Sequence, residues 1–399
     1  MDADPSSRLR QSNLLPELKM RITGRNPSDG MSLEIIVQDG VIVSVCEAKH
    51  DDAAWLSAGL IDMQVNGYGG ADLNAEGLEP QTVVELTKKM LALGVTTYLP
   101  TIITSSEQRI TSALRAVAQA RRLSKVVAET IPFVHLEGPH ISDTDGFRGA
   151  HRTADVRPPE LAEFLRWQDA SGGLVGMITL SPHFSGVENY IAAVTKRGVV
   201  VALGHTHAEP EQIRSAVDAG ARLSTHLGNG IAASIDRHRN AIWTQLADDR
   251  LSAAMIADGH HLPADALKTF IRAKGVARSI LVSDTVAIAG MPPGIYTTPV
   301  GGRVELETNG RLGLVGSGYL AGATLPLKEG VGHVCAATGI SLADALSMAT
   351  VNPGRFTNRR GLLEVGARAD LIRFRIDDTS HTMHIESVMQ GGRAVPIEN

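Results

Sequence analysis

Eight short apolar runs, each trailed by a segment of helical period, fill the middle of this chain and constrain its fold more than any other feature. They begin with "GLIDMQVNG" and "VTTYLPTII" and end with "LSAAMIADGHH" and "SILVSDTVA". Between them the apolar spacing predicts helices over 80–93, 106–123, 158–169, 187–197, 210–219, 240–246 and 264–274. Runs this continuously apolar are buried on both faces, and parallel neighbours need a crossover helix between them. Eight units of this kind fit an α/β fold of the (β/α)8 TIM-like barrel type. No GxGxxG follows the first run, which argues against an open dinucleotide-binding sheet.

The two ends have another texture. Residues 18–48 and the "ADLIRFRID" and "HIESVMQGGRAV" segments alternate apolar and polar residues, and Asp39-Gly40 and Gly391-Gly392 read as hairpin turns. The expected organisation is a small β-sandwich domain built from both termini. Residues 1–57 supply its first part, residues 58–354 form the barrel, and residues 355–399 complete the small domain.

Net charge is −5, which favours neither nucleic acid nor an anionic membrane as a partner. No apolar run reaches the roughly 18 residues of a membrane span, and Met1–Gln11 lacks the apolar core of a secretory signal. With Cys46 and Cys335 the only cysteines, a disulfide scaffold is excluded and a reducing cytoplasm is the expected location.

The polar residues sit at the C-terminal ends of the runs. Run three stops in His135-Leu136-Glu137, run five in His205-Thr206-His207, run six in Thr225-His226, run seven in Asp258-Gly259-His260-His261 and run eight in Ser283-Asp284. In a barrel these ends converge on one face, where this fold keeps its active sites. A single histidine after an apolar run is usually a structural hydrogen-bonder. Five ends that stop together in Glu, His or Asp call for a shared partner, because carboxylates are rarely buried alone, and a metal ion supplies one.

The segments "AGLIDMQVNGYGG", "GVTTYLPTIITS", "HLEGPHIS", "RGAH", "GHTHA", "THLGN", "IADGHHLP", "LVSDTVAIAG" and "GLLEVGARADLIRF" resemble, in order, the N-acetylglucosamine-6-phosphate deacetylase family of the amidohydrolase superfamily. The resemblance implies that Glu137, His205 and His226 hold one divalent metal ion. Two imidazoles and a carboxylate leave a position open for water, as catalytic zinc does. Zn2+ is the first choice, and Fe2+, Mn2+ or Co2+ suit the same mixed site. Many superfamily members carry His-x-His on the first strand; here Gln64 and Asn66 stand there, which implies one metal rather than two. These amides either touch substrate or hydrogen-bond the strand end.

By the same resemblance Asp284 is the general acid/base and His151 a donor to the substrate carbonyl, though Asp284 could also be a helix cap or a second metal contact and His151 a loop residue. Asn229, Gly230 and His261 would bind an amino-sugar substrate. Arg237 would meet its phosphate across a homodimer interface or, since "GIAASIDRHRNAIW" departs from the family's version, belong to a solvated basic loop. Arg148 is an alternative cation. His207 is expected outside the metal shell, and Gly316–Gly322 near substrate. The expected reaction is removal of the acetyl group from N-acetylglucosamine-6-phosphate. The alternatives are an unphosphorylated N-acetyl sugar, another N-acyl or cyclic amide, and a sugar-binding barrel without catalysis.

Overall fold

The computed structural model describes residues 19–49, 53–298, 302–377 and 379–397. The polar segment Met1–Gln11, Leu18 at the start of the first β-rich stretch, and residues 299–301 lie outside the described residues.

Eight parallel strands form one sheet in sequence order: Leu60–Val65, Val95–Ile103, Val134–Glu137, Val175–Leu180, Val200–Leu203, Leu223–Ser224, Ser252–Ile256 and Ser279–Val282. The first and eighth strands meet through backbone bonds from Asp284 N to Gln64 O (2.9 Å) and from Asn66 N to Thr285 O (2.8 Å). Asp62 reinforces the closure: its carboxylate oxygen Oδ1 accepts the N–H groups of Gln64 and Ser283, each at 3.2 Å. The near-continuous apolar runs are explained by two buried layers. Ile61, Met63, Leu99, Met177, Ile256 and Ile280 fill the lumen, while Leu60, Val95, Leu136, Ile178 and Leu203 face the surrounding helices.

The helices start where the local chemistry allows. Ser106 accepts the N–H of Arg109 to cap Glu107–Leu123, and Asn240 accepts those of Ile242 and Trp243 to cap Ala241–Ala247. Pro80–Ala92 and Pro210–Ala219 both begin on proline, whose missing N–H needs no partner in a first turn. The helix after the third barrel strand starts at Leu161, later than Pro158, because Pro158 and Pro159 precede it as extended chain. After the eighth strand the chain makes a hairpin insertion (Gly294–Thr298 paired with Gly302–Leu306, then Leu312–Leu314) before the helices Leu327–Thr338 and Leu342–Ala349.

Both termini join one seven-stranded sheet, in the order Arg393–Val395, Met383–Gln390, Leu371–Ile376, Trp55–Ala58, Met20–Arg25, Ser32–Gln38 and Val41–Glu47. Alternation is visible in Ser32–Gln38, where Leu33, Ile35 and Val37 are buried and their neighbours are not. Both predicted turns have paired left-handed residues: Asp39 and Gly40 at φ 51° and 80°, Gly391 and Gly392 at 52° and 76°. Among the described residues no helix is long and apolar enough to cross a membrane.

Candidate metal centre

The third, fifth and sixth strands deliver Glu137, His205 and His226 to one buried point, with one ligand atom from each lying within 4.8 Å of the others. His226 Nε2 is 2.9 Å and His205 Nε2 3.4 Å from the same Glu137 oxygen, Oε1, and the two Nε2 atoms are 3.1 Å apart. His205 directs Nδ1 at the carbonyl oxygen of Phe147 (3.1 Å), so its proton sits there and Nε2 carries a lone pair. Two imidazole nitrogens aimed at one carboxylate oxygen are a donor set for a divalent cation, and the residues fit such an ion. Burial opposes ionisation of Glu137, but the two imidazoles of His205 and His226 beside it outweigh that and hold the carboxyl well below its usual range.

Several of these residues adopt backbone that side chains seldom tolerate. His205, His226 and Asp284 all have positive φ (48°, 26° and 52°). Left-handed backbone costs such residues about 1–3 kcal/mol each and is kept where the surroundings impose it, commonly at functional sites. The loops that follow are cut to fit: a Cβ on Gly230, itself at φ 60°, would come within 2.7 Å of His205 Nδ1.

A cavity of about 370 Å³ opens over the centre. Its lining includes Glu137, His205 and His226 together with Asn66, His151, Asn229, Gly230, His261 and Asp284. Asn66 Nδ2 donates to Asp284 Oδ1 (2.7 Å), and Gln64 Nε2 donates to Glu137 Oε1 (2.7 Å), so each amide holds a carboxylate. Burial, then the charge of Glu137, pushes Asp284 up to about 7. His151 is buried, its ring 4.5 Å from that of His205 and its Nδ1 without a hydrogen-bond partner among the described residues; burial and then His205 lower it to about 3.

Other sequence candidates fall elsewhere. Arg148 does not line the cavity: its guanidinium donates to the carbonyl oxygen of His151 (2.6 Å) and to Asp145, bracing the loop. Arg237 is exposed and also outside the lining. His207 bonds Ser142 Oγ through Nδ1 (2.6 Å) and packs on His183, while His260 bonds the carbonyl oxygen of Asn309. His135 lies lower in the lumen, with Nε2 2.8 Å from Thr179 Oγ1. The sequence reading passed over Asp72 and Asn74, which line the cavity from the short turn after the first strand; only their place behind a "GYGG" turn could have flagged them. Gly318–Gly322 also line it, as expected of that segment.

Residues 55–395 match the amidohydrolase family. The N-acetylglucosamine-6-phosphate deacetylase of Bacillus subtilis (strain 168) is 31% identical over 323 residues, 79% of this chain and 80% of that protein. The chain belongs to this deacetylase family of amidohydrolases. The N-acetylgalactosamine-6-phosphate deacetylase of Escherichia coli O157:H7 is 31% identical over 360 residues, 88% of this chain and 92% of that protein. A variant of the Mycobacterium smegmatis N-acetyl-D-glucosamine-6-phosphate deacetylase, solved in complex with N-acetyl-D-glucosamine-6-phosphate, superposes with a TM-score of 0.83 at 28% identity. That match covers 94% of this chain and 99% of the other. The amidohydrolase family is metal-dependent, and in this amidohydrolase Glu137, His205 and His226 are the group able to hold an ion among the described residues.

Proposed function

We propose that this amidohydrolase removes the acetyl group of an N-acetylamino sugar phosphate, N-acetylglucosamine-6-phosphate first, giving acetate and the free amine. The observation that carries the reading is the gathering of Glu137, His205, His226 and Asp284 on one cavity. Zn2+ is the first choice for the ion that the three ligands would hold, with Fe2+, Mn2+ and Co2+ suited to the same donors. Such an ion supplies acidity to water and polarises the acetyl carbonyl.

The rest falls to side chains. Asp284, kept in place by Asn66, takes a proton from the attacking water and returns it to the departing amine nitrogen. His151, neutral and with Nδ1 unpartnered, donates to the carbonyl oxygen as negative charge develops there. Gln64 fixes the orientation of Glu137. His261, Asn229 and the backbone of Gly230 face the sugar from the sixth and seventh strand ends.

No Lys or Arg lines the cavity among the described residues. A phosphate needs a cation or a helix N-terminus, so this reading takes Arg237 from a second copy of the chain in a homodimer. The same lack of a cation favours a second reading, an unphosphorylated N-acetyl sugar. Acetate release, measured with zinc supplied, from N-acetylglucosamine-6-phosphate, N-acetylgalactosamine-6-phosphate and N-acetylglucosamine separates these. Strong preference for a phosphorylated sugar supports the first reading and identifies its sugar; equal turnover with and without phosphate supports the second. Release from none of them overturns both.

A further inference from the structure

The turn after the seventh strand splits two adjacent histidines. His260 points away to the carbonyl oxygen of Asn309, whereas His261 lines the cavity. Asp258 makes the division. Its Oδ1 accepts the backbone N–H groups of His260 and His261, both at 2.9 Å, and its Oδ2 lies 2.7 Å from His261 Nδ1. Gly259, at φ 75°, closes the turn against the ring of His333, where a Cβ would come within 2.9 Å of Cε1. Asp258 itself is buried, so both carboxylate oxygens are spent inside the turn and neither is left for substrate. Among the described residues His261 hydrogen-bonds through its backbone N–H and its Nδ1, both to Asp258.

We infer that Asp258 is a positioning residue of this site: it locks the proton of His261 on Nδ1 and thereby presents Nε2 to the cavity as an acceptor for a substrate hydroxyl. A carboxylate accepts only, so a neutral imidazole facing it must place its one proton on that side, and the other nitrogen keeps its lone pair. The hydroxyl as ligand rests on the amino-sugar reading; the tautomer does not. An amide at 258 would reverse the arrangement. The side-chain oxygen of Asn could still receive the two backbone N–H groups, but its NH2 would donate to Nδ1 and drive the proton to Nε2, turning the acceptor into a donor.

The test combines an activity-independent measurement with a kinetic cycle on the zinc-loaded enzyme. With 15N-labelled histidine, the ring signals assigned to His261 by their loss in His261→Ala should report a protonated Nδ1 in the parent protein and a protonated Nε2 in Asp258→Asn. Identical tautomers in the two proteins would overturn the inference, whether or not any sugar is turned over. In kinetics, Asp258→Asn should raise KM about tenfold, the scale of one hydrogen bond made wrongly, with kcat and zinc content little changed. Asp258→Asn added to His261→Ala should then do nothing more, because the carboxylate acts only through that ring. Additive losses in the double variant, or loss of zinc from Asp258→Asn, would mean that Asp258 merely supports the fold. A parent enzyme that releases no acetate from any of the three sugars would count against the deacetylase reading, and the nitrogen signals would still decide the role of Asp258.

Discussion

At the scale of single residues, the site works by giving chemically similar groups different surroundings. Glu137 and Asp284 are both carboxylates at strand ends, yet two histidines hold the first ionised while burial and the Glu137 charge raise the second to about 7. On the proposed mechanism Asp284 must be ionised to take a proton, so activity should fall as pH drops through its pKa. A cation held by Glu137, His205 and His226 moves the midpoint below 7. The profile of kcat/KM against pH checks this, and a rate that does not decline on the acid side would remove Asp284 from the role. Asp284→Asn should cut turnover by at least about 100-fold, the low end of what a general acid/base contributes, with zinc content unchanged by elemental analysis. Zinc lost from that variant would make Asp284 a ligand instead. Glu137→Gln should show the reverse pattern, losing the ion first.

At the scale of elements, the strand ends and the turns behind them set what the residues can do. Gly230 follows the sixth strand and lies flat against the His205 ring. Gly230→Val should push that ring off its position and weaken zinc binding about 10- to 100-fold, the usual effect of disturbing a ligand's support; a competition titration with a chelator reads it. Asp62 belongs to the first strand and ties it to the eighth. Burial raises its pKa from 3.8 to about 6 despite the hydrogen bonds of Ser283 and Gln64. A carboxyl that binds its proton more tightly when folded contributes stability that is complete below pH 3.8 and lost as pH rises through 6. The Tm difference between the parent and Asp62→Asn should therefore shift in favour of the variant between pH 4 and pH 8. A difference that stays constant over that range would show Asp62 ionised in the folded protein at all these values.

At the scale of the whole molecule, the cavity is rich in carboxylates and imidazoles and contains no cation of its own among the described residues. If Arg237 of a second copy completes it, light scattering should find a dimer. Arg237→Ala should then raise KM for N-acetylglucosamine-6-phosphate by about tenfold or more, the loss of a charge-assisted hydrogen bond, and leave the unphosphorylated sugar unaffected. Equal effects on both sugars would return Arg237 to the solvated surface.

The sequence by itself determined the parts that depend on local pattern. Apolar runs buried on both faces could only be parallel strands behind helices, the helical spacing over 106–123 and 240–246 located those helices, and Asp39-Gly40 announced its turn, because each signal lies within a few residues of what it specifies. It also marked five strand ends closing in Glu, His or Asp, since ionisable groups that close apolar runs need a common partner, and the family resemblance singled out Glu137, His205, His226 and Asp284 among them. What it could not fix was which neighbour each polar group would meet. His135 and Glu137 are two residues apart and end in different layers; His260 and His261 are adjacent and face opposite ways. Asp72, Asn74 and the pairings of Gln64 with Glu137 and Asn66 with Asp284 join segments up to 218 residues apart. Those contacts exist only once the eighth strand has closed on the first, and it is barrel closure that turns a row of separate strand ends into one site.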